Sequence, residues 1–310
     1  MILSIGEILT DNFVEGQNKT TLPGGAPFNV ACNIKTFGGD VSFLGAIGKD
    51  EDGRLLKEFA KSKSKLDKLF LKELEDKSTT QAIVTLSNGE RSFKFNRGNG
   101  ADYHLSISQL DDIDFTKVKI VHIGSLMLSE KEGYNFFFDA VKYIKNKTTC
   151  LISFDVNYRN DIFPNEEIAK EIFISAIKTA DILKFTEEEL ELLSGENDLK
   201  KGLTKLLNPN QIAVVSLGKE GSVFYSKNTF IKVETYPLKP VDTTGAGDAF
   251  YSYFLFAIDN GLNLNDESNI KIELYNANLI GGLATQKKGA INVVPTLDEL
   301  IQFKSKISSK

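Results

Sequence analysis

Apolar and polar positions alternate along the chain with two periods. Residues 1–9 are mostly apolar, broken by Gly6, and read as a buried first strand. Residues 12–23 are polar and alternate loosely, which predicts an exposed excursion, and Pro23-Gly24-Gly25 predicts a turn. Residues 26–37 carry Val30, Ala31, Ile34 and Phe37 at helical spacing, and Gly38-Gly39 stops that helix. Residues 41–47 read as a strand. Residues 51–65 read as a Lys-rich helix with Leu55, Leu56 and Phe59 on its inner face. Two strand-like runs, 79–86 and 91–95, flank Ser87-Asn88-Gly89-Glu90, whose Asn-Gly step signals a hairpin.

From about residue 119 to 217, strands and helices take turns. Strands are predicted at 119–124, 150–156, 181–185 and 212–217, and helices at 130–145, 166–179, 187–193 and 199–207. A second hairpin is expected at 221–225 and 230–234, and helices at 247–260, 271–286 and 296–305 close the chain. This alternation predicts an α/β fold with a mostly parallel sheet and helices on both faces. The runs about 12–23 and 79–97 do not belong inside such a sheet, so they are expected to form a small β lid beside the ligand crevice. No repeat, low-complexity tract or linker appears, and residues 1–310 read as a single domain.

Composition narrows the chemistry. The chain has 310 residues and a net charge of −5, with 41% apolar and 25% charged residues. These are ordinary globular values. Two His (His104, His122) and two Cys (Cys32, Cys150) are too few for a three-His or four-Cys zinc site or an iron–sulfur cluster. The Cys pair reads as small buried apolar side chains, and neither His is assigned a role. The acidic balance argues against a nucleic-acid partner. No leader is evident, and the longest apolar stretch, 249–258, is half of the roughly 20 residues a membrane helix needs. A cytoplasmic protein with no membrane partner is therefore expected.

The chemistry concentrates at Asp242-Thr243-Thr244-Gly245-Ala246-Gly247-Asp248, a small flexible loop that opens an almost wholly apolar helix. Unpaired N–H groups and a partial positive charge make a helix N-terminus an anion site. Gly245 and Gly247 let the backbone approach that anion. A carboxylate at Asp248 would repel phosphate, so it needs another purpose. It can take a proton from a hydroxyl nucleophile or, more plainly, cap the helix. Ser216-Leu217-Gly218-Lys219 is not a P-loop, and no dinucleotide fingerprint follows the first strand.

With these residues in view, the chain resembles the PfkB (ribokinase-like) carbohydrate kinases over essentially its whole length, and fructokinases most closely. The Asp242–Asp248 loop resembles the family's C-terminal signature. Gly24-Gly25-Ala26-Pro27-Phe28-Asn29 resembles its N-terminal sugar-binding signature. Gly6-Glu7-Ile8-Leu9-Thr10-Asp11 resembles the opening fructokinase strand, and Lys287-Lys288-Gly289-Ala290-Ile291 a segment near the adenine and cation sites. The resemblance implies a three-layer α/β/α sandwich with a β-sheet lid. It implies ATP and Mg²⁺ as cofactors, with K⁺ as an option, a free sugar as substrate, and a homodimer joined through the lid.

Residue by residue, the resemblance implies that Asp248 is the base and that the amides of Gly245, Ala246 and Gly247 receive charge on the transferred phosphoryl group. Asp11, Gly25 and Asn29 would hold sugar hydroxyls. Ser216, Gly218, Gly221 and Asn278 would meet the nucleotide, Asp242 and Thr244 a monovalent cation, and Glu189 water around Mg²⁺. Two departures stand out: Thr186 where the family has Asn, and Val156 where it has Pro. Arg159 and Lys184 would add positive charge for phosphate or sugar. In the lid, Phe93, Phe95 and Arg97 share one strand face, which places a wall over the sugar with Arg97 reaching its hydroxyls. Competing readings stay open. Glu187-Glu188-Glu189 also forms an acidic first turn capped by Thr186, and Asn278 also suits a solvated helix face. Phe93 also suits lid core or a dimer interface. For activity, phosphorylation of fructose at its 6-hydroxyl stands beside 2-keto-3-deoxygluconate kinase, ribokinase, nucleoside kinase, phosphofructokinase and an inactive sugar-binding relative.

Overall fold

The computed structural model describes all residues other than 16–17, 88–89, 292 and 309–310. In chain order the elements are β1 (Ile2–Ile5), β2 (Leu9–Glu15), β3 (Asn18–Gly24), α1 (Ala26–Thr36), β4 (Val41–Gly48), α2 (Glu51–Ser62), β5 (Lys68–Leu74), β6 (Gln81–Ser87) and β7 (Glu90–Asn96). They continue with β8 (Ile120–Ile123), α3 (Lys131–Lys147), β9 (Leu151–Asp155), α4 (Glu166–Ile177), β10 (Ile182–Thr186), α5 (Glu187–Ser194), α6 (Leu199–Leu206) and β11 (Ile212–Ser216). The chain ends with β12 (Ser222–Ser226), β13 (Thr229–Val233), α7 (Ala246–Asp259), α8 (Glu267–Ala284) and α9 (Leu297–Ser308).

The large sheet runs β13-β12-β11-β10-β9-β8-β1-β4-β5. Its pairs are parallel from β5 to β11, and β12 and β13 join antiparallel. Strand alternation sends Leu3, Val121, Phe154, Leu183 and Phe185 into one core beneath α3, α4, α5 and α6. Ile2, Ile120 and Ile182 enter the other core, with α1, α2, α7, α8 and α9. The three-layer expectation is met. Cys32 and Cys150 are free and buried, as expected.

A second sheet, ordered β3-β2-β6-β7, forms the lid. The predicted first strand splits in two. Gly6 adopts φ +148, and the chain leaves the main sheet there to enter the lid as β2. The polar run 12–23 is not an excursion: β2 and β3 pair antiparallel, and β2 pairs parallel with β6. The predicted Asn88-Gly89 turn and the side chain of Phe93 lie outside the described residues. An edge strand, β5, has no counterpart in the sequence reading. Its Lys-Leu-Phe-Leu-Lys-Glu-Leu run is mostly half-buried or exposed and lacks clean alternation. The helix predicted at 271–286 starts at Glu267 instead, because Asp266 caps it by accepting from the amides of Ser268 and Asn269. Among the described residues, no helix is long and apolar enough to cross a membrane.

Candidate active site

The loop before α7 is fixed by glycine and one buried carboxylate. Gly245 caps α7 at φ +74, and a Cβ there would lie 2.7 Å from Ala290 Cβ and 2.8 Å from its Cα. Only glycine fits both the backbone angle and the space. Asp242, 2% exposed, accepts from the amides of Thr244 (2.9 Å) and Gly289 (3.0 Å), while its own N–H donates to Thr285 O (3.0 Å). The 242–245 loop is thereby laced to the 285–290 segment. By their place in the first turn, the amides of Gly247 and Asp248 have no partner within the helix. The amide of Ala246 makes a long 3.3 Å bond to Thr243 O.

Asp248 sits in that first turn. Its Oδ2 accepts from Asn29 Nδ2 at 2.7 Å. Asn29 stands on α1, whose N-cap, Gly25, has φ +106 and packs so closely that a Cβ would lie 2.5 Å from Glu7 O. Burial lifts the Asp248 carboxyl above its usual range, against the opposing Asn29 hydrogen bond and the charges of Lys184 and Arg159.

Around Asp248 opens a cavity of about 760 Å³. It brings together Asp11, Gly25, Asn29, Arg159, Lys184 and Glu189 with the 243–248 loop. Asp11 is nearly buried, and Gly24 lies against it; a Cβ at 24 would sit 2.2 Å from Asp11 Oδ2. Burial raises its carboxyl to about 7, with Asp248 and Asp242 adding to the rise and Arg159 opposing it.

The carboxyl ends of β9 and β10 supply the floor, where open α/β sheets place ligands. Lys184 and Asp155 are partners in the parallel register, and their side chains pair at 3.1 Å, each about one-twentieth exposed. Burial alone would lower the Lys184 ammonium, but Asp155, Glu189 and Asp248 outweigh it and keep it charged. A Cβ on Gly247 would lie 3.5 Å from Lys184 Nζ, so this cation sits at the start of α7. Val156 is buried and its N–H donates to Lys184 O (3.1 Å), a bond the family's proline could not make. The bend falls instead at Asn157, with φ +39.

One expectation changes. Arg97 does not line the cavity. It is 6% exposed and its guanidinium holds Asp102 Oδ2 at 3.1 and 2.7 Å, while also donating to Ser129 Oγ. Strand alternation gave its face but not the acid five residues on. Glu189 forms the capping box with Thr186: its Oε2 accepts from Thr186 N (2.7 Å) and its Oε1 from Tyr158 N (2.9 Å). It lines the cavity with both oxygens already engaged by amides.

A second cavity of about 450 Å³ lies on the other side of the loop. Ser216, Gly218, Gly221 and Asn278 all line it. Asn278 is buried and its Nδ2 donates to Val233 O (3.1 Å), so it is not a solvated helix position. Thr243 and Gly247 line both cavities, which therefore meet at the start of α7. Sequence reasoning missed the wall of this second cavity at Tyr236, Pro237 and Leu238; the only signal was a short apolar tract before Asp242. It also missed Glu7, Leu126 and Asn157 in the first cavity. His122 is buried against Ser153 and Tyr251, and burial pushes its imidazole down to about 3, so it stays neutral in the core.

Comparison with known proteins identifies the family and the fold. The profile of the pfkB family carbohydrate kinases matches residues 4–297. The chain is similar to "Probable fructokinase-7" of Arabidopsis thaliana, 35% identical over 312 residues that cover 96% of this chain and 90% of that one. Among solved structures, the Vibrio cholerae fructokinase in its fructose, ADP and calcium ion bound form has TM-score 0.88 and 29% identity, with 97% of this chain and 98% of that one covered. Fructokinase with bound ATP from Xylella fastidiosa has TM-score 0.90 and 26% identity, covering 99% and 98%.

Proposed function

The chain belongs to the pfkB family of carbohydrate kinases, and from that premise we propose that it is a fructokinase moving the γ-phosphoryl group of ATP to the 6-hydroxyl of fructose. The observation that carries this reading is the meeting of two cavities at Thr243 and Gly247, with Asp248 held by Asn29 beside the junction. One cavity suits a polyol, with Asp11, Asn29 and Arg159 on its wall. The other, lined by Tyr236, Pro237 and Leu238, suits a nucleoside.

In this reading the sugar's 6-hydroxyl gives its proton to an Asp248 carboxylate oxygen as its own oxygen attacks the γ-phosphorus. The bond between the γ-phosphorus and the bridging oxygen breaks, ADP leaves, and the proton passes from Asp248 to solvent. Charge on the transferred group is met by the amides of Gly245 and Gly247 and by the Lys184 ammonium. The Ala246 amide joins them by giving up its long bond to Thr243. Asp11, Gly25 and Asn29 orient the sugar, and Arg159 neutralises phosphate or holds a hydroxyl. Arg97 is left out of sugar contact because Asp102 claims it. Ser216, Gly218, Gly221 and Asn278 seat the nucleotide.

Among the described residues, no group of three His, Cys, Asp or Glu could hold a metal. Mg²⁺ would be carried in by the phosphates of ATP, with Glu189, whose oxygens each retain a lone pair, receiving its water. When bound it would neutralise phosphate charge. Asp242 and Thr244 would border a monovalent cation such as K⁺. The protein would act in the cytoplasm as a homodimer joined through the lid, whose strands β3 and β7 present open edges. Light scattering on the eluting peak tests the dimer, and cell fractionation the location.

A coupled ADP-release assay over fructose, ribose, 2-keto-3-deoxygluconate, fructose 6-phosphate and nucleosides tests the substrate. The highest kcat/KM is expected on fructose, and a higher value on any other acceptor overturns the assignment.

A further inference from the structure

The proposed reaction gives no task to Glu7, the acid of the opening Gly6–Asp11 segment. Glu7 lies where the chain passes from β1 into the lid strand β2. It lines the first cavity, yet it is 2% exposed, and its Oε2 has no hydrogen-bond partner among the described residues. The same cavity has an apolar wall: Leu9, Ala82 and Leu126 pack in one cluster with Phe95 against them. A buried carboxyl oxygen left unpaired is unfavourable, and an apolar side chain would suit such a wall better. The cost has a purpose if a ligand atom completes the bond.

The charged groups that face Glu7 are Asp102, Arg97 and Asp248. Arg97 is committed to Asp102 and Ser129, so it does not pair with Glu7. Burial pushes the Glu7 carboxyl up to about 8, with its own amide and Arg97 opposing, and Asp102 and Asp248 adding. Near neutral pH Glu7 is mostly the uncharged acid, which donates as well as accepts. A sugar hydroxyl does both and is its chemical match.

We propose that Glu7 is a specificity-determining residue that hydrogen-bonds a hydroxyl of the bound sugar other than the one that is phosphorylated. This rests on the fructokinase reading. The experiment compares kcat/KM of the wild type, Glu7→Leu and Glu7→Gln on fructose and its 1-, 3- and 4-deoxy analogues, together with the KM for ATP. In the wild type, one analogue should be about 10- to 100-fold poorer than fructose, the range for a buried hydrogen bond. Glu7→Leu should lose a similar factor on fructose through the sugar KM, leave the ATP KM in place, and no longer discriminate against that one analogue.

Glu7→Gln, which keeps shape and hydrogen bonding, should recover most of the loss on fructose. Wild-type-like discrimination by Glu7→Leu overturns the proposal, as does a rise in ATP KM equal to the rise in sugar KM. If Glu7→Leu does not fold, Glu7→Ala decides: it too cannot make the bond and must lose the discrimination against that analogue, and a wild-type-like pattern overturns the proposal. If the wild type rejects fructose but accepts another sugar, the fructose reading falls alone. The deoxy series of the accepted sugar then tests Glu7.

Discussion

Asp248→Asn tests the proposed base, because it removes proton transfer and is expected to spare sugar binding. The asparagine is nearly the same size, and its Oδ1 can still accept the 2.7 Å bond from Asn29 Nδ2. What it cannot do is take a proton. A positioned general base typically contributes about 10²- to 10⁴-fold, which at 1.36 kcal/mol per decade is about 2.7 to 5.5 kcal/mol of barrier. A second effect has the opposite sign. Burial lifts the Asp248 carboxyl above its usual range, so its ionised form strains the fold, and the neutral amide relieves that strain. Turnover should therefore fall by two to four decades while the melting temperature at pH 8 holds or rises. The coupled ADP-release assay gives kcat, and isothermal titration gives sugar affinity, since the chain has no Trp to report by fluorescence. The sugar Kd should stay within about threefold, under 1 kcal/mol. The wild type's kcat/KM should drop as pH falls through the raised Asp248 value, and the variant should lack that limb. Turnover by Asp248→Asn within about tenfold of wild type would refute the assignment of the base.

Gly245→Ala forces a side chain into φ +74 and against Ala290, and should cost about 1 to 3 kcal/mol of stability and most of the activity; an unshifted melting curve contradicts this. Lys184→Met strands the buried Asp155 carboxyl and should cost about 3 to 5 kcal/mol. The double variant Lys184→Met with Asp155→Leu should regain stability but not ATP affinity, as measured by melting and by the KM for ATP. Gly282→Leu extends a side chain from α8 into the second cavity and should raise the KM for ATP about tenfold or more, roughly 1.4 kcal/mol, with the sugar KM unchanged. Asp11 and Glu7 have carboxyls raised from 3.8 to about 7 and from 4.5 to about 8. Over those windows the folded state binds more protons than the unfolded, so stability falls as pH rises, by about 1.4 kcal/mol per pH unit for each group. Asp11→Asn should flatten its share of that slope between pH 4 and 7, as read by melting in buffered series.

The local chemistry was legible in the residues alone. Asp242–Asp248 followed by an apolar run specifies a helix N-terminus with a carboxylate in its first turn, because the glycines set the backbone and the period sets the helix. Gly25 before Ala26-Pro27 likewise marks the start of α1, and Thr186 with Glu189 spells a capping box. The alternation from β8 to β11 fixed a mostly parallel sheet. The caps depend on residues a few positions apart, and the sheet on the order of such local runs along the chain. Other features depend on contacts that only the folded chain makes. Gly6 sends the first apolar run into two sheets, and nothing in its polarity says where the run divides. β5 holds its place by pairing with β4 rather than by its own pattern. Arg97 was expected over the sugar, and the acid that claims it comes from the turn after its strand. Lys184 meets Asp155 because β9 and β10 lie in parallel register, and Asn29 meets Asp248 across 219 residues. The sequence alone determined the glycine-capped helix terminus with its first-turn carboxylate and the kind of sheet behind it. The tertiary structure decided which charges neutralise one another and where the two cavities meet, since packing alone closes those long separations.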